Sequence, residues 1–165
     1  MTVTSVYDSP LGPLLLAAEG DALIGLWLPR QKYYAAGLAE DASEDPAAAP
    51  LTLAARWLDD YFAGLGPEAR ALRLSPRGSD FRKLVWELLL DIPYGETTTY
   101  GALASQAERC LGRRTSARAV GAAVGHNPIS ILIPCHRVLG SGGSLTGYAW
   151  SLEKKEWLLR FEKAI

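Results

Sequence analysis

The stretch Pro134-Cys135-His136-Arg137 follows directly on the apolar run Ile131-Leu132-Ile133 and sets a thiol, an imidazole and a guanidinium side by side. A thiol attacks only as the thiolate, and an isolated one is mostly protonated at neutral pH. A neighbouring base or cation changes that balance, and the two residues after Cys135 supply one of each. Buried cysteines are by habit small hydrophobes. Proline before Cys135 and His-Arg after it point instead to a nucleophile. The chain holds two cysteines and two histidines, with His126 nine residues ahead of Cys135, which matches no zinc-ligand spacing. No metal and no cofactor are therefore expected. A disulfide between Cys110 and Cys135 would consume the reactive thiol, so both are expected reduced.

A second group of residues suits a different task. Arg109, Arg113, Arg114 and Arg118 fall within ten residues that contain no acid. They flank the start of a helix predicted over 116–124, where unpaired backbone N–H groups favour phosphate. A preceding short helix, 100–107, is joined to it through a segment containing Gly112, which reads as a helix-turn-helix with the second helix as reader. That connection is longer than the motif usually has. The reading helix carries Ala117, Ala119, Gly121, Ala122 and Ala123, which offer no long side chains to base edges. Such a smooth surface suits close, sequence-tolerant packing in a groove of DNA.

The rest of the chain must position these residues. Val3–Tyr7, Leu14–Ala18 and Leu23–Leu28 alternate between turn signals and predict an antiparallel meander. Residues 40–50 read as a surface loop, and Leu51–Phe62 as a helix with Leu53, Trp57, Leu58 and Tyr61 on its apolar face. Leu72–Leu74 is strand-like, and Ser75-Pro76-Arg77-Gly78 is the expected domain boundary. Ser79 is placed to cap a helix whose apolar face is Phe81, Leu84, Val85, Leu88 and Leu89. Residues 131–133 read as a buried strand, 141–144 as a turn, and the last helix runs from about Glu153 to Glu162.

Composition fits an ordinary globular protein, 48% apolar and 21% charged over 165 residues. Its apolar stretches are too short to span a bilayer, and no basic-apolar leader follows Met1, so a cytoplasmic protein without membrane association is expected. The net charge of −1 is unevenly spread. Residues 1–74 hold five Lys/Arg against ten Asp/Glu, whereas 75–165 hold twelve against eight. A polyanionic partner would therefore meet the C-terminal half.

Several motifs in order make the chain recognisable: Ile92-Pro93-Tyr94-Gly95-Glu96-Thr97-Thr98-Thr99-Tyr100-Gly101, Ala117-Arg118-Ala119-Val120-Gly121, Asn127-Pro128, Ile131 to Val138, Gly147-Tyr148, and Lys154 to Leu159 with Glu162. Across about 78–163 the chain resembles the O6-alkylguanine-DNA alkyltransferases, the methylated-DNA–protein-cysteine methyltransferases of direct-reversal repair. The N-terminal half is less similar, with Ser9-Pro10-Leu11-Gly12 and Tyr61-Phe62-Ala63-Gly64 carrying the likeness.

The resemblance implies that Cys135 accepts an alkyl group from O6 of a flipped-out guanine, with O4-alkylthymine a second substrate. It implies that Glu162 orients His136, that His136 activates Cys135 through a water, and that the Tyr100 hydroxyl donates to the guanine ring. Arg118 would fill the place of the flipped base, with Thr99, Ala117, Ala119, Gly121, Arg113 and Arg114 also against DNA. Asn127, Tyr148, Ala149, Trp150 and Lys155 would form the pocket, Asn127 through backbone hydrogen bonds that tie the reading helix to the active-site strand. Arg137 is expected to pair with an acid at the domain interface. The chain departs from the family pattern at the 109–114 segment, at Trp150 and Ser151 where glycine is common, and in lacking the zinc ligands of some animal members. Trp150 is expected to crowd a benzyl group on O6 while leaving room for methyl.

The fold expected is α+β in two domains, an antiparallel sheet with helices over 1–76 packed on a mainly helical domain with the helix-turn-helix over 77–165. The partner expected is double-stranded DNA containing O6-alkylguanine, met by a monomer, with cooperative loading left open. Two rivals remain at this point. Alkyltransferase-like lesion binders lack the cysteine that this chain has. A cysteine hydrolase using Cys135 and His136 would need adjacent residues to align as nucleophile and base, whereas such partners usually come from separate segments.

Overall fold

Tight turns join β1 (Thr2–Ser9), whose first residues alternate in burial, to β2 (Gly12–Glu19) and to β3 (Ala22–Trp27), buried along its whole length, in a computed structural model that describes residues 1–146 and 151–165. The described residues gather into two compact units, Met1–Arg77 with Pro128–Ser130, and Gly78–Asn127 with Ile131–Ile165.

In the first unit β1, β2 and β3 pair antiparallel, and a two-residue strand β4 (Ser43–Glu44) joins β1 in parallel, giving the order β3-β2-β1-β4. The 40–50 segment, expected as loop throughout, thus supplies a short edge. Helix α1 (Ala49–Phe62) begins with proline in its first turn, a position where a missing N–H costs nothing. It buries Leu51, Ala54, Trp57, Leu58 and Tyr61. Leu53, expected among the buried residues, is 50% exposed because Leu51 and Ala54 occupy the inward stripe instead. The outer edge of β3 is closed by two short segments, each making one parallel bridge. Leu74 pairs with Leu23, whose N–H donates to Arg73 and whose carbonyl accepts from Ser75 at 2.8 Å. Ile129 pairs with Leu26, whose N–H donates to the Pro128 carbonyl at 2.8 Å and whose carbonyl accepts from Ser130.

The second unit is built on three helices: α2 (Asp80–Leu89), α3 (Tyr100–Leu111) and α4 (Ala117–Gly125) pack on one another. Each has an N-cap hydroxyl accepting from the third helical N–H: Ser79 from Arg82, Thr99 from Ala102, Ser116 from Ala119. On α2 the buried residues are Val85, Trp86 and Leu89, whereas Phe81, Leu84 and Leu88 are half-buried. Trp86 replaces them at the centre because its indole N–H finds a buried acceptor, the Ala123 carbonyl, at 2.8 Å. Helix α3 continues four residues past the expected end, stopping at Gly112 with φ 68. That left-handed position is one glycine fills at little cost. The connection to α4 is therefore only 112–116, shorter than the sequence reading made it.

A two-stranded parallel sheet pairs β5 (Thr98–Thr99) with β6 (Val138–Leu139), and α5 (Leu152–Phe161) closes the unit. Residues 131–133 are not a strand. Ile131 has φ 72, an outlier for a β-branched residue, and it turns the chain. The run is apolar because all three residues are buried, and burial alone does not separate strand from turn. The overall class is the α+β one read from the sequence, with a helix-turn-helix in the second unit.

Candidate active site and nucleic-acid interface

Pro134 sets the nucleophile's backbone. Its φ of −81° and ψ of 64° make an inverse γ-turn, closed by the Cys135 N–H on the Ile133 carbonyl at 2.8 Å. The proline ring fixes that φ in advance. The Ile133 carbonyl also accepts from the Asn127 side-chain amide at 2.8 Å, so the end of α4 and the cysteine turn share one acceptor. From there Cys135–Arg137 form a single 3₁₀ turn that runs into β6, and β6 pairs with β5 immediately before Tyr100. Pairing of Thr99 with Leu139 thus links the start of α3 to the cysteine turn.

Cys135 is 2% exposed, and neither it nor exposed Cys110 is in a disulfide. His136 and Glu162 are fully buried side chains, joined Nε2 to Oε2 at 2.6 Å. Glu162 sits at the C-terminal cap of α5, and Arg137 reaches the same carboxylate with Nε at 2.8 Å and Nη2 at 3.1 Å. The acid expected for Arg137 at a domain interface is therefore Glu162, within its own unit. Gly95 adds a fourth donor, its N–H lying 3.2 Å from Oε1. Its φ is +79, and a Cβ there would stand 3.2 Å from the Glu162 carbonyl, so the Tyr94-Gly95 turn is shaped for this contact.

Burial would raise the Glu162 carboxyl, but the hydrogen bond and charge from His136 and those from Arg137 outweigh it and hold the group well below the usual carboxylate range. Burial pushes His136 down, so the imidazole is neutral at neutral pH. A carboxylate can only accept, which makes Nε2 the ring nitrogen that carries hydrogen. Nδ1 is then the acceptor, and it has no hydrogen-bond partner among the described residues.

Tyr100 and Lys155 converge on one acceptor. The Thr146 carbonyl receives the Tyr100 hydroxyl at 3.3 Å and the Lys155 ammonium at 2.7 Å, and the ammonium lies 5.6 Å from the Tyr100 ring centre. Burial lifts Tyr100 to about 12, with a negative Cys135 adding to the rise. Burial lowers Lys155 to about 8, and a negative Cys135 offsets part of the fall. A thiolate at Cys135 is therefore felt by both.

Beside this cluster, a cleft of about 490 Å³ is lined by Tyr100, Gly101, Ala117, Arg118, Gly121, Gly140, Ser141 and Thr146. Helix α4 turns Val120, Ala123 and Val124 inward and leaves Ala117, Arg118, Ala119 and Ala122 exposed. Gly121 faces the Tyr100 ring, and a Cβ there would lie 3.6 Å from it, an ordinary contact distance. Arg109, Arg113 and Arg114 are exposed on the last turn of α3 and just after it. Thr99 spends its hydroxyl on the α3 cap. Asn127, grouped with the pocket, is buried behind the cysteine turn, and neither it nor Lys155 lines the cleft. Tyr148, Ala149 and Trp150, with the benzyl expectation that rests on Trp150, lie outside the described residues. Ser151 caps α5 through the Lys154 N–H, and its φ of 175 is extended backbone that needs no glycine.

Arg137 as a partner of Glu162, Gly95 and Thr146 were not found from the sequence. Pro93-Tyr94-Gly95 stands in the sequence as part of the family motif, and nothing in it points to a carboxylate at the other end of the unit.

A buried thiol turn, an imidazole held by a carboxylate, and a helix of small residues beside a cleft that Arg118 helps to line all belong to the second unit. Residues 80–164 match the DNA binding domain of 6-O-methylguanine DNA methyltransferase, and residues 2–76 its ribonuclease-like domain. The chain is 45% identical over 157 residues to a methylated-DNA–protein-cysteine methyltransferase of Mycobacterium bovis, covering 95% of this chain and 90% of that one. A Methanosarcina barkeri protein of the same name is 40% identical over 172 residues, covering 96% and 95%. Mycobacterium tuberculosis OGT, solved in complex with DNA, superposes with a TM-score of 0.83 at 43% identity, over 99% of this chain and 92% of that one. The chain belongs to the O6-methylguanine-DNA methyltransferase family.

Proposed function

We propose that this protein repairs DNA by direct reversal, moving the alkyl group from O6 of guanine, and from O4 of thymine, to Cys135. The observation that supports this best is the chain Glu162–His136 Nε2–H with Nδ1 left to accept, next to a cysteine whose backbone is fixed by Pro134. In this reading the Cys135 S–H proton passes through a water to Nδ1. The sulfur pair forms the S–C bond as the C–O6 bond breaks, and Tyr100 donates to the guanine ring where charge builds. The thioether product is a poor leaving group and no second nucleophile is assigned, so one molecule repairs one lesion.

The division of labour is between a domain over 1–76 and one over 77–165 that both binds DNA and accepts the alkyl group. The partner is double-stranded DNA carrying O6-alkylguanine, met by a monomer in the cytoplasm. No helix of the described residues is long and apolar enough to cross a membrane. Intact mass before and after incubation with methylated duplex tests the reading. Gain of one methyl per molecule is expected, and an unchanged mass with retained lesion binding would make this a lesion-flagging binder instead.

Arg118, exposed in the first turn of α4, takes the place of the flipped nucleotide. Its planar cation stacks where lysine's could not, offsetting part of the few kcal/mol of unstacking. Arg118→Ala is expected to slow transfer from methylated duplex far more than from free O6-methylguanine, since only the duplex requires flipping. Charge removal at Arg109, Arg113 or Arg114 is expected instead to flatten the salt dependence of binding. Equal losses on duplex and free base would take Arg118 out of the flipping role.

A further inference from the structure

The Glu162 carboxylate is crowded with donors. His136 Nε2 at 2.6 Å, Arg137 Nε at 2.8 Å, Arg137 Nη2 at 3.1 Å and the Gly95 N–H at 3.2 Å all reach it, with the His136 and Glu162 side chains fully buried. The guanidinium is itself clamped: Nη1 donates to the Ile92 carbonyl at 2.7 Å, and the Tyr94 ring centre lies 5.7 Å from its central carbon. Orienting His136 alone would need only an acceptor for Nε2–H. A carboxylate is an acceptor that also carries a charge, and a bare buried carboxylate against an imidazole favours the imidazolium. An imidazolium cannot take a thiol proton.

We infer that Arg137 is a positioning residue for alkyl transfer: by sharing the Glu162 carboxylate it cancels that charge and keeps His136 a neutral base with Nδ1 open. Glu162 then supplies direction without supplying the proton affinity that would fill Nδ1 in advance. This rests on the reading that Cys135 loses its proton to His136. The charged and titratable groups facing the imidazole agree with it. Burial, Arg137 on the same turn and Lys155 on α5 push His136 down, and Glu162 pushes it up. Tyr94, on the opposing turn, is raised by burial and by Glu162, and Tyr100 on α3 is raised by burial, so neither is charged at neutral pH. Cys135 contributes charge only once its proton has left.

The chain has two histidines, so a protein labelled at histidine with ¹³C and ¹⁵N gives two sets of ring signals, with His126 as internal reference. Wild-type His136 is expected to be the neutral Nε2–H tautomer at neutral pH. In Arg137→Gln its titration midpoint should rise by about one unit or more, the usual effect of uncovering a close opposite charge. The acid limb of the pH–rate profile for Cys135 methylation should move up with it. Arg137→Lys keeps the charge but loses the planar fork, and should leave the midpoint where wild type has it even if the melting temperature falls. A protonated wild-type His136 at neutral pH, no movement in the glutamine variant, or equal movement in both variants would overturn the inference. Should the glutamine variant not fold, the wild-type tautomer and the lysine variant still decide. If the histidine signals behave as stated and no methyl reaches Cys135 in wild type, it is the alkyl-transfer reading that fails.

Discussion

Cys135→Ala is expected to bind methylated duplex nearly as wild type does and to transfer nothing, its intact mass unchanged after long incubation. Cys135 is 2% exposed, and the backbone bonds that shape its turn come from Pro134, Ile133 and Asn127, none of which needs the sulfur. Loss of one buried heavy atom costs about 1 kcal/mol, as deleting a single methyl does. The exposed face of α4, proposed to meet the groove, is a different set of residues, so affinity should survive. Cys110→Ala removes an exposed thiol from the last turn of α3 and should still gain one methyl. Methylation of the Cys135→Ala protein at Cys110 would move the nucleophile and overturn the assignment.

Glu162→Ala is expected to damage both folding and transfer. It leaves Arg137 with its Glu162 bonds gone and, among the described residues, the Ile92 carbonyl and the Tyr94 ring at hand, in a site where the side chain is 10% exposed. Stranding one member of a buried pair typically costs about 3–5 kcal/mol. Loss of the base's orientation should add about 10²- to 10⁴-fold in rate. The sign of the pH effect follows from the direction of each shift. A carboxyl held below its unfolded value contributes stability that is present above the unfolded carboxylate range near pH 4 and is lost as pH falls further. His136, held below its own unfolded value, adds a separate loss that starts as pH drops under about 6.5 and the unfolded chain takes the proton first. Urea titrations should therefore show wild type weakening on acidification, with the gap to Glu162→Ala closing towards pH 3. A gap that stays constant would mean that the carboxylate's charge is not what stabilises the unit.

Local signals carried much of the fold. The β1–β3 meander is readable because turn residues bound three short strand-like runs there. Ser79 was readable as a cap because a hydroxyl before an apolar periodicity has one ready use. The misreadings have equally local causes. Residues 131–133 read as strand because a fully buried run looks the same whether straight or bent, and nothing in Ile131 announces a positive φ. Helix α3 was cut short at Ala107 because the apolar stripe ends there, while the helix itself runs on to its glycine cap. Trp86 was overlooked on α2 because its burial depends on a carbonyl 37 residues away. Of the site, Cys135 and His136 were legible from their own neighbours. Glu162 was not: a carboxylate at the end of a terminal helix reads as solvated, and only likeness to a family placed it beside His136. The Arg137 pairing is equally hidden, since its hydrogen-bond partners Glu162 and Ile92 lie far off in the chain.

The bridge between Ile129 and Leu26 bears on how the chain comes off the ribosome. Three residues of the first unit, Pro128–Ser130, are made only after all of α2, α3 and α4. Until they emerge, the Leu26 N–H and carbonyl have no strand beside them, although Leu23 on the same edge already has Arg73 and Ser75. A nascent chain therefore carries a half-finished β edge through most of its synthesis, and bare edges recruit strands from other molecules. A fragment cut at Arg77 would keep that opening for good. The short detour at 128–130, placed immediately after Asn127 and just ahead of the cysteine turn, closes it.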